Sequence, residues 1–325
     1  MAKVSIMSWN VENWGVSKNY AEMIDFVANV IDQYEPVVVA ILEVRSNLGA
    51  SLGSRLCTAL DGLLGKANTW YYQASPQYGT RKEQYLWLWR KDKVGVTKTQ
   101  FKDTWRVPAP VYSKALTVEL GFPRLKGTDH PPYLGFFTFK NKASVPMSAL
   151  HAPEPGYKPN VTKACANLAE ISDFTGAAAG ALMGDFNISP SDPASGNGKK
   201  GFGPIVALGY AQQLVGIFTS LNKVPAVRDP TLTKIQMFSN QFDNLFLKPG
   251  TDRLDGDVLD LVEDCVNDSY PRIAKALRKY VYAAKNQNTG TGTMVAKYTT
   301  IFDAFADFRY WASDHFPIIV DVNWG

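Results

Sequence analysis

The sequence predicts an α/β fold, and three observations carry the prediction. Strand-like apolar segments alternate with amphipathic helical ones from the first residues onward. Residues 37–42 (VVVAIL) are a continuous apolar run, as expected of a strand buried on both faces. Polar and acidic residues then gather at the C-terminal ends of the strands, the edge where α/β proteins build their sites. The 325 residues are 46% hydrophobic and 20% charged, which is ample for a large core. No low-complexity stretch interrupts them, so we read one domain over residues 1–325.

The first predicted strand is residues 4–11 (VSIMSWNV), with Ser8 and Asn10 toward its far end. Residues 19–34 place Met23, Ile24, Val27, Val30 and Ile31 at helical spacing, and Pro36 ends that helix. The apolar run 37–42 leads into Glu43, Val44 and Arg45, and a second helix is predicted over 51–64. Residues 70–73 form a short strand, followed by a loop with Pro76, Gly79, Arg81 and Lys82. Residues 84–90 (QYLWLWR) alternate as a strand that Glu83 opens. Two prolines keep 104–111 extended. Residues 117–120, 135–139 and 144–150 are further strands, the last delivering His151.

A helix over about 161–174 leads to residues 181–187 (ALMGDFN). Side chains at i and i+2 of a strand share a face. Asp185 and Asn187 are therefore expected to point together, and Phe186 into a core. Gly184 permits close backbone approach. An acid beside an amide suits a metal-bound phosphate or an activated water; a strand ending in an Asx turn reads the same way. A glycine- and lysine-bearing loop (195–203) and a short helix near Leu208 follow, then a strand over 241–247 carrying Asp243. Residues 251–293 read as a helical insertion, with helices over 257–265 and 271–285 and a linker over 286–292. The second helix is basic, but Ile273, Leu277 and Val281 favour a solvated face packed on the core over a polynucleotide contact. Residues 311–317 (WASDHFP) precede a final strand, 318–322.

Composition excludes several classes. The three cysteines, Cys57, Cys165 and Cys265, are widely spaced and form neither a disulfide framework nor a CxxC pair. A reducing compartment suits them. The N-terminus lacks a signal peptide's apolar region, and no apolar run is long enough to span a bilayer. The expected location is the cytoplasm, unless a secretion route without a signal peptide is used, with no membrane partner. A net charge of +4 permits a polyanionic substrate without demanding one.

Three histidines occur. His130 lies in a proline-rich loop and reads as a surface residue. His151 and His315 sit at strand ends, as do Asn10, Glu43, Asp185, Asn187, Asp243 and Asp314, and Glu83 starts a strand. Carboxylates seldom gather without a partner. A divalent cation would neutralise them. Hard oxygen donors and few histidines favour magnesium, with manganese or calcium as substitutes, over zinc. The two histidines then suit proton transfer, each oriented by its own carboxylate.

In order along the chain, Ser8-Trp9-Asn10, Leu42-Glu43, Leu150-His151, Gly184-Asp185-Phe186-Asn187 and Ser313-Asp314-His315-Phe316-Pro317 resemble the motifs of the endonuclease/exonuclease/phosphatase superfamily. Each motif is weak alone; five in order from residue 8 to 317 are specific. The deoxyribonuclease I-like branch is the nearer likeness. Residues 41–45 (ILEVR) resemble its glutamate segment with the arginine that enters the minor groove. Residues 82–90 resemble its Lys-Glu-Arg-Tyr strand, Arg106 its phosphate-contacting arginine, and residues 242–244 (FDN) its Tyr-Asp-Arg strand.

The resemblance implies a four-layer α/β/β/α sandwich with two packed mixed β-sheets. It implies a monomeric, magnesium-dependent phosphodiesterase that hydrolyses DNA as a non-specific endonuclease. Glu43 would be the main metal ligand, with Asn10 and Asp314 beside the metal or the scissile phosphate. Asp185 and Asn187 would position water and phosphate. His151 with Glu83, and His315 with Asp243, would form the acid–base pair. Arg45, Arg106 and Arg81 would face the substrate, Arg81 standing where the secreted deoxyribonuclease has a tyrosine. Trp14 and Trp311 flank motif segments and are candidates to stack on a base. RNA stays in play, because nothing reads the sugar. The alternatives are a phosphomonoesterase or a lipid- or inositol-phosphate phosphodiesterase of the same superfamily. From another class, the alternative is a non-catalytic nucleic-acid-binding module, against which the intact motifs argue.

Overall fold

The computed structural model describes residues 4–18, 21–78, 81–95, 133–139, 144–152, 180–188, 202–207, 209–225, 227–229, 231–248, 252–267, 269–290 and 293–323. In chain order the elements are β1 (Val4–Trp14), α1 (Ala21–Tyr34), β2 (Val38–Val44), α2 (Gly49–Leu64), β3 (Trp70–Ala74), β4 (Gln84–Arg90), β5 (Val94–Gly95), β6 (Tyr133–Phe139), β7 (Ser144–His151) and β8 (Ala181–Asp185). Then come α3 (Gly203–Ala207), β9 (Ala211–Gln212), α4 (Lys234–Met237), β10 (Asp243–Leu247), β11 (Asp252–Val258), α5 (Leu261–Asn267), α6 (Pro271–Thr289), α7 (Ile301–Asp307) and β12 (Ile318–Asn323). A π-helical turn, Phe308–Ala312, continues α7.

Among the described residues, the strands form two six-stranded mixed sheets, ordered β11-β12-β1-β2-β4-β3 and β5-β6-β7-β8-β10-β9. Each sheet holds one parallel pair at its centre, β1–β2 and β7–β8, among antiparallel neighbours. These two central pairs face each other across the sandwich. Every residue of β2 is buried, as its apolar run requires. Between the sheets, Trp87 meets Phe137 edge-on at 5.2 Å and Tyr85 stacks on Tyr133 at 5.9 Å. Outside, α1 buries Met23, Phe26, Val27, Val30 and Ile31, and Phe26 packs edge-on against Trp9 of β1 at 6.0 Å. The α2 helix covers β3 and β4, and α6 packs beside α1. This is the α/β sandwich of two packed mixed sheets expected from the sequence.

The segment read as a helical insertion begins differently. Residues 252–258 are not helical but form β11, an edge strand antiparallel to β12, and the helix starts only at Leu261. The stretch DRLDGDV has no apolar stripe to seat a helix, and β12 offers it backbone pairing that local sequence does not display. Residues 286–289, read as linker, continue α6 instead. Asn288 Nδ2 donates to the carbonyl of Ala284 at 2.8 Å, and Gly290 caps the helix at φ 68°. On α6, Ile273, Leu277 and Val281 are buried, while Arg272 pairs with Asp32 at 2.6 Å and Lys285 with Asp307 at 2.8 Å. The basic helix is thus a packed helix with a solvated face. The extended segment expected over 104–111, the strand over 117–120, the helix over 161–174, the loop residues 195–201, and Arg106 and His130 lie outside the described residues. Among the described residues, no helix is long and apolar enough to cross a membrane.

Candidate active site

The C-terminal ends of the two central parallel pairs open onto one cleft edge. β1 loses its regular register between Asn10 and Trp14, and Glu12 and Asn13 take left-handed φ values of 44° and 58°. Glu43, at the end of β2, also has a positive φ of 58°. Such backbone costs roughly 1–3 kcal/mol per residue and concentrates at functional sites. It delivers three polar side chains here. Asn10 Nδ2 donates to Glu43 Oε1 at 2.9 Å and to Asp185 Oδ2 at 3.0 Å, while its Oδ1 accepts the Glu12 N–H at 3.0 Å. The amide nitrogen thus faces the acids, and Asn10 clasps the two sheets together.

Across the cleft, β7 and β8 pair with His151 opposite Asp185. Gly184 has φ 133°, and a Cβ there would lie 2.0 Å from the Leu150 carbonyl oxygen. Only glycine lets the two strands meet this closely. Asp185 Oδ1 accepts the Asn187 N–H at 2.8 Å, and Asn187 Nδ2 donates to the carbonyl of Ala152 at 2.8 Å. The strand therefore does end in an Asx turn, and the turn is what fixes the carboxylate. Asp185 and Asn187 do not extend as one strand face, because β8 stops at Asp185 and Asn187 turns to φ 48°. Phe186 points the other way, edge-on to Phe202 and Phe246 at 5.4 and 5.2 Å.

Two histidine–carboxylate dyads flank Asp185. His151 Nδ1 lies 2.8 Å from Glu83 Oε2, and its Nε2 is 3.3 Å from Glu43 Oε1 and 3.9 Å from Asp185 Oδ2. His315 Nδ1 lies 2.6 Å from Asp243 Oδ2, and its Nε2 is 3.6 Å from Asp185 Oδ2 and 3.7 Å from Asp314 Oδ1. Both backbones are held. The His151 N–H donates to the Tyr85 hydroxyl at 3.0 Å, and the His315 N–H to Ser313 Oγ, which donates to the carbonyl of Asn10 at 2.7 Å. Burial alone would lower His151, but Glu43, Glu83 and Asp185 outweigh it and push its pKa up to about 10. Burial is likewise overcome at His315 by Asp243 and Asp185, which raise it well above the usual histidine range. Burial pushes Asp185 up to about 6, against the pull of the two histidines.

Cations rim the acids. Arg45 Nη2 sits 3.0 Å from Glu83 Oε1 and 3.8 Å from Glu43 Oε2, so this guanidinium turns inward onto the acids rather than standing free for a groove. Arg81 is exposed on the turn before Glu83. Trp14 is fully buried, with its Nε1 donating to the carbonyl of Lys18, so it has no face for a base. Three residues escaped the sequence reading. Glu12 faces Lys18 Nζ at 3.7 Å and Arg309 Nη1 at 3.3 Å, and Arg309 Nη2 is 3.5 Å from Asp314 Oδ2. Glu12 stands two residues after Asn10, a spacing that sequence could have used. Lys18 and Arg309 gave no such local signal.

The donor set fits a hard divalent cation. Glu43 with His151 and Asp185, and Asp185 with Asp243 and His315, bring their ligand atoms within 4.8 Å of one another, all buried. Carboxylate oxygens dominate, which favours magnesium, manganese or calcium over a thiophilic metal. Glu43 would be the main ligand of the ion, with the Asp314 and Glu12 carboxylates as further oxygen donors.

No curated protein matches this sequence. Solved structures share its fold. An endonuclease/exonuclease/phosphatase family protein from Bacteroides thetaiotaomicron superposes with a TM-score of 0.58 at 14% identity, covering 99% of this chain and 97% of that one. A mannosyl-6-phosphatase from the same organism gives 0.58 at 15% identity, covering 99% and 100%. D. rerio TDP2, in complex with a single-strand DNA product, gives 0.51 at 14% identity and covers 100% of both chains. The sequence also matches the profile of the Endonuclease/Exonuclease/phosphatase family over residues 7–315. Members of that family are generally hydrolases of phosphoesters, and with the match spanning nearly its whole length, this chain belongs to the endonuclease/exonuclease/phosphatase family.

Proposed function

We propose that the protein is a divalent-cation-dependent phosphodiesterase that hydrolyses DNA. One observation carries the reading: the Nε2 atoms of two carboxylate-oriented histidines converge on Asp185 Oδ2, at 3.9 and 3.6 Å. In-line displacement at phosphorus needs a proton acceptor on the attacking side and a donor on the leaving side. Glu83 and Asp243 fix each imidazole through Nδ1, so that Nε2 is the working atom. Asp185, fixed by its Asx turn, orients the attacking water between them. Asn187, whose Nδ2 donates to the Ala152 carbonyl at 2.8 Å, is assigned to the phosphate oxygens in this reading. A cation held by Glu43 would add charge stabilisation to those oxygens. Support for a DNA substrate comes from the deoxyribonuclease I-like motifs and the likeness to D. rerio TDP2, itself crystallised with a DNA product.

The likeness to a mannosyl-6-phosphatase favours a second reading, a sugar phosphomonoesterase using the same pair of dyads. A nicking assay on supercoiled plasmid separates the two. DNA cleavage with magnesium, its loss with chelator, and its loss in His151→Ala and His315→Ala are expected. Phosphate release from mannose 6-phosphate without nicking would replace the first reading by the second. Chelator-resistant cleavage would overturn the shared mechanism.

A further inference from the structure

Arg309 lies on the π-helical turn just before Asp314, a rare geometry that recurs at functional sites. Its Nη1 is 3.3 Å from Glu12 Oε2 and its Nη2 is 3.5 Å from Asp314 Oδ2, with the side chain 19% exposed. Both contacts are longer than the roughly 2.7–2.9 Å of a charge-assisted hydrogen bond. Its Nε is buried and has no hydrogen-bond partner. The guanidinium therefore spans two carboxylates through one long hydrogen bond to Glu12 and an ion pair to Asp314, and its Nε donor is unused. The backbone that carries each acid is fixed. Glu12 is set by the left-handed bulge of β1, and its backbone carbonyl accepts from Lys18 Nζ at 2.5 Å. Asp314 is anchored through its carbonyl, which accepts the Leu221 N–H at 2.7 Å. Lys18 Nζ also donates to the carbonyl of Ala312 at 3.0 Å, tying the bulge to the π-turn.

We propose that Arg309 is a built-in competitor of the catalytic cation. Its guanidinium neutralises Glu12 and Asp314 until a divalent ion takes their oxygens. The displaced fork, with its spare Nε–H, then turns to the phosphate. Electrostatics drives the exchange. A divalent charge added beside these carboxylates repels the guanidinium, and a long flexible stem moves more readily than two backbone-anchored acids. Guanidinium suits phosphate because its planar fork matches paired oxygens. The first half of this inference needs only a cation at the acids; the second half rests on the phosphoesterase reading.

The test is a calorimetric Mn2+ titration of the full chain after chelator treatment, with parent, Arg309→Met and Arg309→Lys. Arg309→Met is expected to bind Mn2+ about tenfold more tightly. Arg309→Lys, which keeps the charge, should stay within threefold of the parent by the same reasoning, roughly. Inorganic phosphate added to the Mn2+-loaded protein should bind about tenfold more weakly to Arg309→Met. Unchanged or weaker Mn2+ binding by a folded Arg309→Met overturns the proposal. Should Met not fold, judged by thermal unfolding, Arg309→Gln makes the same comparison. The Mn2+ titration uses no nucleic acid, so its outcome holds whichever phosphoester the protein cleaves.

Discussion

Gly184→Ala is the sharpest probe of how the fold makes the site. The added Cβ would lie 2.0 Å from the Leu150 carbonyl oxygen, at a backbone φ of 133°. Reaching ordinary van der Waals contact requires β7 and β8 to part by roughly 1.5 Å. The φ strain costs about 1–3 kcal/mol for a residue with a Cβ. Parting the strands also weakens ladder hydrogen bonds, each worth about 1 kcal/mol, among them the Ala152 N–H to Asp185 carbonyl bond of 2.8 Å. We expect a destabilisation of about 3–5 kcal/mol, read from urea denaturation. The next pair along is His151 with Asp185, so the same shift moves the groups proposed to react. A displacement of about 1 Å costs on the order of 100-fold in rate. Gly62→Ala is the matched control. It lies within α2 with nothing within 4 Å of the added methyl, and should stabilise by about 0.5–1 kcal/mol. A Gly184→Ala protein within 1 kcal/mol of the parent and fully active, roughly the reach of one hydrogen bond, would refute the close-approach argument.

Two further outcomes are expected. Asp243→Asn removes the carboxylate 2.6 Å from His315 Nδ1 and should lower turnover by about 10²–10⁴ while the unfolding transition stays cooperative; turnover within threefold of the parent, roughly, would exclude His315 as a working acid or base. The second concerns pH. Burial pushes the Asp264 carboxyl up, Tyr34's hydrogen bond and Lys234 pull it down, and Asp260 and Glu263 push it up further. With a folded pKa above the unfolded one, the native chain holds this proton more tightly. It therefore loses stability relative to the unfolded chain as pH rises from the ordinary aspartate value through the raised one. Asp264→Asn cannot ionise and still accepts from the Tyr34 hydroxyl, which donates to Asp264 at 2.6 Å. Its stability relative to the parent should rise between pH 4 and pH 7, compared by denaturant unfolding at each. A difference that stays constant or reverses would contradict the assignment.

Much of the site was legible because its residues stand at strand ends, where period-two and period-3.6 patterns stop together. Glu43, Glu83, His151, Asp185, Asp243 and His315 were all found that way, and the structure brings all six into one cleft. The i and i+2 rule failed at Asp185 and Asn187, because the Asx turn overrode the strand. It was not applied to Asn10 and Glu12, where a bulge sends the acid toward Arg309. The strand β11 was missed because an edge strand is specified by its partner as much as by its own pattern.

Local pattern thus determined the elements, the buried apolar runs, and which polar residues end them. Other features depend on contacts between residues far apart in the chain. The two central parallel pairs face each other across the sheets. Arg45 turns inward to Glu83. Arg309 links its sequence neighbour Asp314 to Glu12, 297 positions away along the chain. A dihedral preference acts over a few residues, whereas packing two sheets and balancing buried charge are settled only when distant segments share one low-dielectric space.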